Sequence, residues 1–506
     1  MNINHCRILA SRASKYWRRV FSLGSTALLL PCSAIAQETL PPDTASYGSA
    51  DLTAVVERAI ASNPEVQAAW HAFQAAGHDT EIARGGYLPR VDVNAGVGLE
   101  NRSDDDRGSY DTDYAELSLR QMIYDGFATR SQVEKLDRAE LVRYYELLGT
   151  SENTALEAAR AYLDVKRHRD LVKLGRDNYE RHRRVYRQID ERTRSGAGRG
   201  VDLQQIQGRL ALAESNLLTE ASNLHDVSAR YQRLIGELPP ATLAEAPDFE
   251  ARLPKDVSQA LIMAYEGSPD FHAAIEDIAA SRAEREAARS RFHPRLDLVA
   301  RTGTYQGEDY SGDFIEDDGR ESRSSIGLVA SMNLYRGGSD LASFRAASDR
   351  VEQAVSLRRK ACVDLRQTTQ IAYNDTRRLR EQLAYLNNHR QSTDRVRGAY
   401  RQQFDIGQRS LLDLLDIENE YFEASRVHVN ARYNVSLADA RTLAAMGRLL
   451  QVLDLRRDDL PTLAELGSDG VEIDPETVCP PTGARQYSLD DLIASDTSSL
   501  DPFPVD

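Results

Sequence analysis

The 506-residue chain carries a formal net charge of −15, with 28% charged and 41% hydrophobic residues. So acidic a balance argues against nucleic acid as a partner. Beyond residue 36 no apolar run reaches the roughly 18 residues of a membrane-spanning helix, so any crossing of a membrane falls to strands.

At the N-terminus Lys15, Arg18 and Arg19 precede the apolar run Val20 to Leu30, and Ala34-Ile35-Ala36 offers the small residues of a cleavage site before Gln37. Residues 1–36 therefore read as a Sec signal peptide, with a run too short for a membrane anchor. Cys32 raises the alternative of lipidation, to which Pro31 is a poor fit. Removing the segment takes five positive charges and no acid from the chain, leaving −20. Only Cys362 and Cys479 then remain, and the sequence leaves open whether they pair or stay as thiols.

Residues 37–51 read as a loose leader. From Leu52 to Arg84 apolar residues recur at steps of three and four, among them Val55, Val56, Ala59, Ile60, Val66, Ala69, Trp70 and Phe73, which predicts a helix broken at Asn63-Pro64. Past Gly85-Gly86 and Pro89 the period drops to two. Val91, Val93, Ala95, Val97 and Leu99 fall on one face of a strand over residues 91–101, and Ala115, Leu117 and Leu119 on one face of a second over 113–121. Between them 102–111 is polar, with three successive aspartates at 104–106. Residues 131–194 then run for 64 positions without a proline, a helix of about 95 Å. A turn at 195–200 leads to a helix at 201–236.

The whole series then returns. Asn63-Pro64-Glu65 and Tyr87-Leu88-Pro89-Arg90 recur as Ser268-Pro269-Asp270 and Phe292-His293-Pro294-Arg295 at an offset of 205. Tyr124-Asp125-Gly126, Ala161-Tyr162 and Gly196 with Asp202-Leu203 recur as Tyr335-Arg336-Gly337, Ala372-Tyr373 and Gly407 with Asp413-Leu414 at 211, so one six-residue insertion lies in the second hairpin. The second copy predicts strands at 296–303 and 325–334, a long helix at 341–404, a turn at 405–409 and a last helix at 410–450. The chain thus divides into a first repeat at 52–238, a linker at 239–256, a second repeat at 257–450 and a tail at 451–506. Residues 467–506 hold nine acids and one base, a composition that predicts little order, with 489–493 as a short docking helix.

Two short helices laid end to end along one long helix make a rod with the hairpin at one end and the turn at the other. Four amphipathic strands per chain are too few for a membrane barrel, whose smallest form has about eight, so closure requires several copies around a symmetry axis. The paired repeat, the Tyr-x-Gly ending each hairpin, and the turn from Phe404 to Asp416 resemble the TolC family of outer membrane exit ducts, over about Leu52 to Leu450. The resemblance implies a mainly α fold with a membrane β-barrel: a homotrimer with a 12-stranded barrel in the outer membrane of a Gram-negative bacterium and an α-helical tunnel through the periplasm. It also implies docking on a periplasmic adaptor and an inner membrane transporter. Asp413 and Asp416 match positions that line the periplasmic constriction and make the pore prefer cations, against a plainer reading as helix N-terminal caps or solvated residues. Asp202 and Arg409 match a charged pair that links neighbouring protomers and holds the tunnel shut. Phe404 stands where the best-known members carry a tyrosine of the gate.

Within the family the acidic tail and the poor lipidation site favour type I secretion of a large protein such as an adhesin, with an ABC transporter, over multidrug or small-molecule efflux. A periplasmic coiled-coil adaptor ranks lower, since adaptors lack four strands of membrane length. No nucleophile elbow, phosphate loop or metal spacing stands out, so no catalytic, cofactor or metal site is expected. His71 and His78, seven apart, read as solvated or packed, and the acidic stretches at 104–106 and 313–318 as hydrophilic loop tips. The basic tract 166–194, with Arg181, Arg183, Arg184 and Arg187, reads as a solvated helix face.

Overall fold

The computed structural model describes residues 50–101, 109–306, 321–455, 460–470, 479, 480, 482–484, 487 and 493, within one compact unit, Gly48–Asp506. The predicted signal peptide, the leader up to residue 49, the acidic stretches 104–106 and 313–318, and 489–492 lie outside these residues.

Caps set the first helices. Asp51 accepts a hydrogen bond from the Ala54 N–H at the start of α1 (Leu52–Ser62), and Asn63 accepts from the Glu65 N–H at the start of α2 (Pro64–Arg84), where Pro64 fills the position that needs no donor. The second repeat uses Asp256, Ser268 and Pro269 in the same way for α5 (Val257–Gly267) and α6 (Pro269–Arg289).

The strands β1 (Arg90–Asn101), β2 (Ser109–Tyr124), β3 (Arg295–Gln306) and β4 (Glu321–Ser331) form one antiparallel sheet in that order. Register places Val93 opposite Leu117 and Ala300 opposite Ile326, so one face collects Val91, Val93, Leu117, Leu298, Ile326 and Leu328. The other face collects Arg90, Asp92, Glu116, Arg120, Arg301 and Arg323. Val97 and Leu99 on the apolar face are 90% and 79% exposed in the single chain. β4 was predicted to run to Leu334 but ends at Ser331, whose partner Arg295 is the first residue of β3; Pro294 before it has no N–H with which to extend the ladder.

The long helices α3 (Ala128–Arg194) and α7 (Ser339–Asp405) have 67 residues each, about 100 Å. Along α3, α2 comes first, with Phe73 against Tyr144 and Arg84 bound to Asp137. Farther on lies α4 (Gly200–Ile235), whose Leu217 backbone approaches Gly175. In the second repeat α6 and α8 (Leu411–Ala445) pack against α7. The last helix was predicted to reach Leu450, yet α8 stops at Ala445, because Gly447 turns left-handed (φ +64°) and the Arg448 N–H reaches back to the Leu443 carbonyl. A Cβ on Gly447 would lie 2.1 Å from the Gly267 carbonyl oxygen, so the ends of α5 and α8 cross backbone to backbone there. The four-residue helix α9 (Leu449–Val452) follows.

The main core sits where the helix pairs cross, around Val56, Ala59, Ala158, Tyr162, Tyr231, Leu234, Tyr433 and Leu443. Tyr162 and Lys166 of α3 both donate to the Ala244 carbonyl at 2.6 Å and tie the linker over this core. The basic tract is therefore no uniformly solvated face: Lys166 is buried, and the Arg181 side chain turns inward to Glu418. A smaller core of Leu261, Tyr265 and Phe271 surrounds a disulfide between Cys362 and Cys479, so the tail, expected to be largely loose, is bonded to α7 at this point.

Candidate functional site

The two interhelical turns at the far ends of α3 and α7 hold every residue singled out for the gate. Gly196 and Gly407, equivalent in the repeat, both adopt φ +78°, which lets the chain reverse after each long helix at no steric cost. The returning Gly198 and Gln408 N–H groups then satisfy the Arg192 and Gln403 carbonyls at 2.8 Å.

A separate apolar core holds these turns together. Val185 and Ile189 of α3, Ile206 of α4, Phe404 of α7 and Leu411, Leu414 and Leu415 of α8 are all buried against one another. Phe404 is thus an anchor shared by both helix pairs, with the Arg192 guanidinium 5.7 Å from its ring centre. A hydroxyl at this position would have to find a partner inside the cluster, which accounts for phenylalanine here in physical terms.

Arg409 is held from three sides within its own chain. Its Nε donates to Gln403 Oε1 at 3.0 Å, its guanidinium lies 4.2 Å from the Tyr400 ring centre, and Nη1 comes within 3.9 Å of Asp413. Asp413 completes a capping box: its carboxylate accepts from the Ser410 hydroxyl (2.8 Å) and N–H (3.2 Å), while Ser410 Oγ accepts from the Asp413 N–H. Those bonds, the hydroxyl first, hold the Asp413 carboxyl below the usual carboxylate range, and Arg409 adds to the effect. Asp416, one turn on, is bound by Arg209 of α4 at 2.8 Å. Asp413, Asp416 and Glu420 line one side of a groove of about 390 Å³, with His389, Thr393 and Tyr400 of α7 on the other.

Asp202 differs from its repeat equivalent Asp413 in one respect. The N-cap of α4 is Arg199, which makes no side-chain cap, so the Asp202 carboxylate is not drawn back into a capping box. Among the described residues Asp202 and Arg409 of one chain form no ion pair, whereas Arg409, Asp413 and the Ser410 cap form one connected set. Farther from the turns, Glu418, 4% exposed, lies 3.8 Å from Arg181 and 3.7 Å from Arg397, and both guanidinium groups face the Tyr421 ring at 5.2 and 4.0 Å. This node joins α3, α7 and α8.

Sequence reasoning missed Arg209, Arg192, Tyr400 and Gln403 as partners of the residues expected at the gate. The Ser410-x-x-Asp413 spacing does carry a capping signal, but the Arg209–Asp416 contact joins helices 207 positions apart and leaves no local trace. His71 and His78 bond Gln74 and Glu81 on their own helix, in line with a solvated role.

The family model for outer membrane efflux proteins matches residues 55–237 and 260–448. The outer membrane protein TolC of Escherichia coli (strain K12) is 25% identical over 473 residues, 90% of this chain and 92% of that protein. The alkaline protease secretion protein AprF of Pseudomonas aeruginosa is 26% identical over 407 residues, 76% of this chain and 81% of that one. The crystal structure of the Campylobacter jejuni CmeC outer membrane channel has the same fold, with a TM-score of 0.72 at 16% identity over 82% of this chain and 88% of that one.

Proposed function

The chain belongs to the outer membrane efflux protein family, whose members are outer membrane channels and not enzymes, and from that premise we propose that it is the exit duct for type I secretion of a large protein. Channels of this family are homotrimers that work with a periplasmic adaptor and an inner membrane pump. In this reading three copies bring their sheets together, β4 of one beside β1 of the next, into a 12-stranded barrel. The observation that carries it is the sheet itself. One face is apolar and exposed, the other is charged, and β1 and β4 each present an unpaired edge among the described residues, which only closure can satisfy in lipid.

The pump in this account is an ABC transporter and the cargo an adhesin-sized protein. Support comes from the likeness to AprF, named for alkaline protease secretion, from the acidic tail and from the poor lipidation site. Around the three-fold axis Asp202 meets Arg409 of the neighbouring protomer to hold the tunnel shut. Asp413 and Asp416 form two rings of carboxylates that favour cations. No helix among the described residues is long and apolar enough to cross a membrane, so insertion rests on the strands.

Deleting the gene tests the cargo. Loss of one large protein from the surface or medium, with drug sensitivity unchanged, is the expected result. Normal secretion together with hypersensitivity to small toxic compounds would overturn type I secretion in favour of efflux.

A further inference from the structure

Each repeat is girdled by chain that follows it, and the two girdles are fastened differently. In the first, linker residues 240–244 are held over α3 by hydrogen bonds: Tyr162 and Lys166 to the Ala244 carbonyl, and Arg169 to those of Pro240 and Ala241. In the second, tail residues 479, 480 and 482–484 lie against α5 and α7. The Tyr265 hydroxyl donates to the Pro480 carbonyl (3.3 Å), and the Gln370 side chain bonds the Thr482 carbonyl (3.4 Å) and the Ala484 N–H (3.1 Å). Two of these three bonds depend on one flexible side chain, that of Gln370. Cys479 is fully buried against Leu261, Tyr265 and Phe271 and is bonded to Cys362, 117 positions away, with Cα atoms 5.9 Å apart.

We propose that Cys362 and Cys479 are an oxidation site completed only after export, and that this bond is what fastens the second girdle to the tunnel wall. The acidic, proline-containing tail has little apolar surface of its own with which to hold this position, and a cross-link confines it without needing any. In the cytosol both residues are thiols. After export each thiol loses its hydrogen and one S–S bond forms. The two electrons and two protons pass through a mixed disulfide to the disulfide of a protein-dithiol oxidase, which leaves as a dithiol. Cys6 and Cys32 lie in the predicted signal peptide, so the mature chain offers that oxidase one pairing and no wrong partner. The strap then covers the Leu261–Tyr265–Phe271 cluster at the middle of the wall, where Gly483 packs on Val257. This inference rests on the outer membrane location and is independent of the cargo.

Protein extracted from outer membranes, alkylated to block free thiols and digested with trypsin without reductant is expected to yield peptides 361–366 and 458–485 as one species that separates on reduction. Recovery of both peptides with alkylated cysteines would overturn the oxidation site. Dithiothreitol is expected to lower the thermal midpoint of the intact wild-type protein by about 2–5 °C. It should also release the fragment 458–506 after mild trypsin treatment, which without reductant stays attached through the bond. A Cys362→Ala/Cys479→Ala variant should behave like the reduced protein in the absence of reductant. A midpoint unmoved by reduction, in protein where the linked peptide is present, would overturn the role as a fastener.

Discussion

Phe404 and Arg409 divide the work at the turn: one packs the ends of four helices together, and the other sets their surface charge. Phe404→Ala should cost about 3–5 kcal/mol of local stability, seen as faster amide exchange across residues 400–415, because the emptied site is enclosed on all sides. Arg409→Ser should raise single-channel conductance in planar bilayers. Each exposed pair is worth about 0.2–1 kcal/mol, so three bias a gate without welding it, and an unchanged conductance would count against the gate. Glu152 supplies a pH dependence away from the turns. Burial raises its carboxyl to about 7, although the α9 backbone N–H groups pull the other way, and burial raises Asp439 to about 6 despite Arg380. The folded chain therefore keeps protons that the unfolded chain has already released, so the stability these two groups contribute is fully present below their unfolded-state values of 4.5 and 3.8 and is lost as pH rises through about 6 to 7. Glu152→Gln should flatten that decline, measured as the difference between thermal midpoints at pH 5 and pH 8. An unchanged difference would mean that Glu152 does not titrate in this range.

At the scale of elements, the repeat and its periodicities made most of the fold legible before any coordinates. Alternation located all four strands, and the proline-free runs located both long helices to within three residues, because strand faces and helix stripes are written locally in the chain. The breaks were harder. The end of α8 depends on Gly447 meeting the Gly267 carbonyl, and the end of β4 on where its partner begins; both are contacts between distant segments. The same limit hid the disulfide and the Arg209–Asp416 pair. Among the gate residues, Asp413 as a helix cap was legible from Ser410, whereas the burial of Phe404 was not. The sheet offers its own test. A Cβ on Gly303 would lie 2.7 Å from the Ala115 carbonyl of the neighbouring strand, while nothing lies within 4 Å of the same position on Gly327. Gly303→Val should therefore push β2 from β3 and abolish heat-resistant oligomers on gels, and Gly327→Ala should leave them intact.

For the whole molecule, everything unfinished in one chain points outward to other copies. The sheet has open edges and an apolar outer face, and Asp202 is left out of any cap and has no ion pair with Arg409 of its own chain. Three chains around one axis let β1 and β4 close a barrel, and in the gate proposed above Asp202 would face Arg409 of the next protomer across the turns. The disulfide strap adds a cross-link within each chain, at the middle of the wall. Native mass spectrometry of the protein released from outer membranes in mild detergent tests the central claim most directly. The account predicts a complex of three chains, and a stable monomer or dimer would contradict it.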